Sequence, residues 1–489
     1  MRSTAPGGGT FPWVAALVGA AAVACGVAGS AYGAGALGLV AALAILGASF
    51  ARPLVGVLGL MVTQLYLVGS TEGVAAGEVF FQIVYVSVFA GWVSHMIVHA
   101  QERFVRTPLN RSLLVFAGVL LFSAFPALYY ENGLVWWLRD LSPLLNYLVF
   151  FIFVNTARSE GDLRRPVAVF VAFCYLVTLR DLVSFAFPGA AASRLYYVLD
   201  TWVVRGSGGA VFWQSAFFLC LGLLLYETRP GRIASLLASM AFFGATLVVS
   251  GTRTYWLSTL FVLALALALG PRLRRGRLRR GERVAGSFRA ALLLIGAVAL
   301  SWFLFEGTGR TAQRLRGRYE RLGAVLQGGG EQDLSWFARV LEAQYTLEQV
   351  ARHPFVGYGL GHRIPFRGTP GARGGEHGQI RQTLFLHNGY LFMLLKLGAL
   401  GLVVFLWFLV RLMRMQWDLA VVLDDPPHKG LAFGFFLSLV GIAVMSLTTS
   451  KFADAPTTLF VGVFSGVLCT RARWENGADN PQHATYRIV

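Results

Sequence analysis

The chain has 489 residues and a formal charge of +18, with 56% of its residues hydrophobic and only 13% charged. Soluble chains carry roughly 25% charged residues, so there is too little polar surface here to coat a water-facing globule. With a mean hydropathy of +0.61, this excludes a string of soluble domains and predicts an all-α, polytopic transmembrane helix bundle.

In chain order, about fourteen stretches approach the roughly 20 apolar residues that cross a hydrocarbon core. They lie near 13–32, 34–50, 53–70, 78–98, 112–130, 134–155, 166–187, 209–226, 232–250, 254–270, 289–306, 388–410, 430–448 and 456–470. The second, third, tenth and last are short enough to tilt or merge, giving about 12–14 spans. The first is weakly signal-like, but more spans follow at once and predict an uncleaved first helix. The expected organisation is an N-terminal transmembrane bundle over 1–306, a long loop with amphipathic helices over 307–386, C-terminal transmembrane helices over 387–471, and a tail over 472–489. Cys25, Cys174, Cys220 and Cys469 sit in apolar runs without metal-ligand spacing and read as packing residues.

Orientation follows from the basic residues of the short loops. Arg103, Arg106 and Arg111 follow the fourth span, Arg158, Arg164 and Arg165 the sixth, and Arg411, Arg414 and Lys429 the twelfth. Residues 271–289 add a further arginine-rich connection, and Arg471 and Arg473 follow the last span. All fall on one side, which is therefore the cytoplasmic one. The opposite side then holds Arg194, Arg205, Arg253, the 307–386 loop and Lys451. Arg253, in a tight SGTRT turn between two apolar spans, is hard to explain as topology alone, although a snorkelling anchor is the competing reading.

The strongest local signal is HNGYLFMLLKLGALG at 387–401. His387 and Asn388 stand where the long loop enters a span, followed by Gly398 and Gly401. An imidazole at a membrane–water boundary near arginines can exchange a proton with a substrate held there. The alternative is a helix cap followed by small-residue packing. Residues 333–352 have Phe337, Val340, Leu341 and Leu347 near helical spacing, which predicts an external helix lying on the bundle and presenting Arg339. Arg139-Asp140 and Arg180-Asp181 lie toward the external ends of two spans, where charge is a functional hypothesis by default. Lys451 and Asp454 either orient His387 or pair with each other. The Gly-rich run Gly357-Tyr-Gly-Leu-Gly361 is more often a turn than a phosphate cradle, and His353, His362 and His377 read as loop surface.

The spacing His-Asn-x9-Gly-x-x-Gly resembles that of the O-antigen ligase and O-antigen polymerase superfamily. RGSGGAVFWQSAFFLCLGL (205–223), LVVSGTRTYWLSTLFVLAL (247–265) and SWFARVLEAQYTLEQVARHPFVGYGLG (335–361) resemble further segments of it, so the resemblance covers roughly residues 205–405. It implies a metal-independent membrane glycosyltransferase of the GT-C type, working at the periplasmic face of the bacterial inner membrane. The donor would be a glycan on undecaprenyl pyrophosphate, and the acceptor a glycolipid such as lipid A-core or another glycan. Membrane lipids are then its surroundings, with no cofactor and no nucleic-acid partner expected. The positions that match the pattern are Arg205, Arg253, Arg339, His387 and Asn388. His387, Arg253 and Arg339 would be catalytic, with Arg205, Asn388, Arg139 and Arg180 binding substrate. Arginine suits pyrophosphate because its planar fork donates several hydrogen bonds at once. A ligase and a polymerase joining lipid-linked repeat units share this chemistry. A solute transporter or flippase is the alternative from another class and would place charges at broken helices near the bilayer midplane.

Overall fold

A computed structural model describes residues 34–64, 76–98, 104–186, 209–250, 252–273, 334–367 and 380–475. The spans expected near 13–32 and 289–306 lie outside these residues, and so does the arginine-rich stretch beyond Leu273. Each of the other twelve expected spans falls on a helix. Eight described helices are long and apolar enough to cross a membrane, and three shorter apolar helices accompany them.

The chain divides into two compact units. The first, Met1–Phe104 with Asn155–Arg158, contains α1 (Ala34–Ala51), α2 (Pro53–Gln64) and α3 (Ala76–Val98). In it α1 and α3 approach closely at Gly91, where a side chain would stand 2.6 Å from Ser49 Cβ. The His95 ring of α3 reaches Phe50 O at 3.0 Å.

The second unit carries α4 (Asn110–Phe122), α5 (Ala124–Tyr129), α6 (Leu134–Leu145), α7 (Val149–Thr156), α8 (Glu160–Ala186), α9 (Gly209–Tyr226), α10 (Pro230–Ser250) and α11 (Arg253–Leu273). It continues with α12 (Leu334–Arg352), a two-stranded antiparallel ribbon of β1 (Ile364–Arg367) and β2 (Ile380–Thr383), then α13 (Gly389–Val422), α14 (Pro426–Met445) and α15 (Ala455–Glu475). Where the connections are described, short ones fold successive helices back on one another, and contacts gather at two ends. At one end Arg471 Nη1 binds Glu160 Oε2 at 2.8 Å, Arg411 Nη2 reaches Pro108 O at 3.3 Å, and Asp424 N meets Glu475 Oε2 at 3.1 Å. At the other, Tyr130 OH meets His353 Nδ1 at 2.9 Å, Thr254 Oγ1 meets Thr448 Oγ1 at 2.6 Å, and Gly389 N donates to Ser446 O at 2.8 Å. Among the described residues, Arg411 and Arg471 lie at the first end and α12 at the second.

Apolar burial cannot by itself select helix pairs inside lipid, because the solvent is as apolar as the side chains. Close approach of small residues does so instead. The α9–α14 contact is built this way, with Gly222 facing Gly430 and Gly434, and Ser438 Oγ lying 3.5 Å from Ser215 O. A methyl group on Gly222 would stand 2.6 Å from Gly434 Cα and closer still to Gly430 O, whereas nothing lies within 4 Å of one on Gly231. Gly222→Ala is therefore expected to destabilise the detergent-solubilised protein by about 1–3 kcal/mol, as overpacking typically does, and so to lower its melting temperature. Gly231→Ala should leave it unchanged or raise it slightly. Equal melting of the two variants by thermal-shift chromatography would contradict this packing.

Candidate active site

Three elements converge on His387. The residue sits one position ahead of Asn388, whose side-chain oxygen caps α13 by accepting from Tyr390 N at 2.9 Å and Leu391 N at 3.0 Å. Glu342 on α12 grips it twice, with Oε1 accepting the His387 backbone N–H at 2.9 Å and Oε2 lying 2.6 Å from Nδ1. An ionised carboxylate only accepts, so a neutral imidazole held this way presents its Nδ1–H to Glu342 and keeps Nε2 out of the pair. Glu342 is buried while the His387 side chain is 46% exposed. The carboxylate is thus shielded, and the imidazole is partly open. Phe385 stands edge-on to the imidazole with centroids 5.2 Å apart.

Glu342 had no signal in the sequence beyond being an acidic residue on an amphipathic helix. Its helix is where expected, but the face it turns to the bundle is not. Glu342 and Thr346 are buried and Leu347 is exposed. A helix at a membrane boundary can turn apolar side chains outward to lipid, which frees a polar face for the site. Arg339 lies one turn before Glu342, hence on the same side of α12. It shares its surroundings with Lys451, Asp454 and Asp181, all within electrostatic reach of Tyr255 on α11.

Arg253 opens α11, and the Thr254–Thr448 contact sets that helix start beside the turn after α14. This turn also holds the His387 segment, because Ser446 O accepts Gly389 N and Ser450 Oγ donates to Leu386 O. The structure thus brings His387, Glu342, Asn388, Arg339 and the backbone of Arg253 to one end of the unit. Arg205 lies outside the described residues. Arg180 stands at the end of α8, its Nη2 2.6 Å from Asp181 Oδ1. Arg139 lies over the Trp136 ring at 5.6 Å, with Arg363 over the same ring at 5.4 Å. Lys451 is buried and pairs with Asp454 at 3.3 Å, the second of the two roles expected for it.

The Gly-rich run does a different job from cradling phosphate. Gly398, with φ of 69° and ψ of −175°, breaks α13 in mid-course. The 354–361 loop fills the break, with Tyr358 N donating to Leu395 O at 3.0 Å and Gly359 N to Lys396 O at 2.9 Å. In return, Ala399 N and Leu400 N donate to Pro354 O and Phe355 O at 2.7 and 3.2 Å. Gly357, with φ of 71°, approaches so closely that a side chain would lie 2.6 Å from Gly398 N. The histidines of this loop are also less superficial than expected. His353 pairs with Tyr130, while His362 stacks on Tyr358 at 4.2 Å and meets Gln349 Oε1 at 2.9 Å. Burial, aided by the charges of Lys396 and His353, pushes His362 down to about 4, so it is neutral at physiological pH. His377 lies outside the described residues.

Among the described residues, Asp425, His428 and Glu475 are close enough to share a cation. They sit at the opposite end of the unit, where Arg471 already binds Glu475 Oε1 at 3.0 Å and Glu160 Oε2 at 2.8 Å.

The fold and this arrangement define a polytopic helix bundle with a histidine–carboxylate pair, Arg339 and the start of α11 at one end. Residues 238–406 match the family model described as O-antigen ligase, a stretch that includes Arg253, Arg339, Glu342, His387 and the Gly398 break. The resemblance to the O-antigen ligase and polymerase superfamily therefore holds over that segment and supports an activity of this type. Comparison with curated proteins finds no match.

Proposed function

We propose that the protein is an O-antigen ligase-like glycosyltransferase of the inner membrane, with its active site at the periplasmic face. It would move a polysaccharide from undecaprenyl pyrophosphate to a hydroxyl of lipid A-core or a similar acceptor. The observation that carries this reading is the Glu342–His387 pair, in which a buried carboxylate holds Nδ1 of a partly exposed imidazole and so would leave Nε2 to act as the base. In the proposed step, the acceptor hydroxyl gives its proton to His387 Nε2 and its oxygen bonds the anomeric carbon. The bond from that carbon to the pyrophosphate oxygen breaks, and undecaprenyl pyrophosphate leaves. Arg253 and Arg339, with Arg205, would stabilise the charge that develops on the leaving oxygens. Asn388 serves by fixing the start of α13, so that His387 directly precedes a rigid helix. Arg139 and Arg180 would steer the anionic donor from the rim.

A broken span with a buried charge is also what a transporter would show. Here the broken backbone is satisfied by the 354–361 loop instead of facing a substrate, which favours the enzyme. Purified protein given lipid-linked glycan with either lipid A-core or a second lipid-linked glycan distinguishes ligase from polymerase. Product on neither acceptor would refute both.

Orientation is tested first. In a cysteine-free background, an impermeant thiol reagent applied from the periplasm should label Gly328→Cys and spare Glu282→Cys. The reverse pattern would put the site on the wrong side for a periplasmic donor. His387→Ala should then reduce transfer by the ~10²–10⁴-fold typical of a lost general base, with donor binding retained. Glu342→Gln should cost less, because the base remains but its orientation loosens. Near-normal turnover by His387→Ala would reduce the residue to part of the helix start. Arg253 is tested by charge conservation. Lysine offers a point charge where arginine offers a fork, so Arg253→Lys should lose most activity and Arg253→Ala more. If Arg253 merely anchors the turn, lysine snorkels equally well and the lysine variant should be fully active at matched protein levels.

A further inference from the structure

A fully buried lysine inside a membrane helix is costly and calls for a reason. Lys396, two turns into α13, is 0% exposed. Its ammonium pairs with Asp140 on α6, donates to Leu384 O at 3.2 Å and lies 4.6 Å from the centre of the Phe392 ring. Asp140 in turn accepts Gly361 N at 2.7 Å. The nearby Arg139 cannot substitute for the lysine, since its guanidinium is directed to Trp136.

The extended run 384–389 leading into α13 is held by tethers from several elements. Leu384 O is bound by Lys396, Leu386 O by Ser450, His387 by Glu342, and Gly389 N by Ser446 O. Of these groups, Lys396 alone also ties the run to α6 and, through Asp140, to the loop that fills the α13 break. Glu342 can hold the imidazole only if the backbone of 384–387 brings it within reach, and the bond to Leu384 O is the tether at the start of that path.

We infer that Lys396 is a positioning residue for His387, with its bond to Leu384 O fixing the approach of the imidazole to Glu342 and Asp140 holding the ammonium in place. The inference rests on the reading of His387 as the base. A loss of alignment by about 1 Å can cost on the order of 10²-fold in rate.

Single removal of either charge leaves the other buried and alone, which can unfold the protein. The informative variant is therefore the double Lys396→Met/Asp140→Asn. It removes both charges, retains an oxygen to accept Gly361 N, and deletes the Leu384 tether. The readouts are kcat and donor KM in the full-length protein in detergent or nanodiscs, and the rate at which diethyl pyrocarbonate modifies His387 at pH 7, followed by peptide mass. The double variant should melt near the wild type, lose at least about tenfold in kcat with little change in donor KM, and modify His387 at a rate shifted toward that of Glu342→Gln. Wild-type kcat in the double variant would overturn the proposal, because neutralising the pair would then suffice. An unchanged His387 modification rate would overturn it too, even with kcat reduced. His387→Ala in the same assay separates the two readings. If it is active, the base assignment fails, and the modification rate alone then decides whether Lys396 positions residue 387.

Discussion

The architecture of the site depends on a broken membrane helix. In lipid a helix normally satisfies its own backbone, and each freed group buried without a partner is expensive. At Gly398 two carbonyls and two amides of α13 leave that register, and the 354–361 loop supplies two amides and two carbonyls in exchange. This exchange explains why the segment before α13 is rich in glycine and why Pro354, which has no N–H, can stand at its start using only its carbonyl. It also fixes consequences upstream. The loop follows directly from α12, so docking it against α13 holds the end of the helix that carries Arg339 and Glu342.

Distributed tethering suits a group that must be both exposed and aligned. In the proposed role His387 would meet a substrate hydroxyl from outside, which burying its own ring would prevent. The chain on either side of it is held instead. A buried carboxylate grips the ring and amide, a capped helix starts after it, and hydroxyl and ammonium groups bind the carbonyls before it.

Much of the fold was legible in the sequence because lipid imposes length and hydropathy on each span, and every expected span within the described residues falls on a helix. The site was legible only in part. His387, Asn388, Arg253 and Arg339 stood out because polar residues at the ends of apolar runs are conspicuous. Glu342 did not, because an acid on an amphipathic helix is ordinary until the fold carries it across 45 residues to an imidazole. Asp140 stood out as a charge near the end of a span, but its pairing with Lys396 was hidden, since pairing across 256 positions leaves no local pattern. The glycines of 357–361 suggested a turn or an anion cradle, and only the break at Gly398 shows where their amides go.

The same features bear on how charge is distributed along the unit. Its carboxylates are mostly spent on structure. Glu160 and Glu475 neutralise Arg471 at one end, Asp181 holds Arg180, Asp454 holds Lys451, and Asp140 serves Lys396. Glu342 is the carboxylate engaged with an imidazole at the site end. If an anionic donor is bound at that end, as proposed, the pairing of these acids within the fold lowers the negative charge it would meet there.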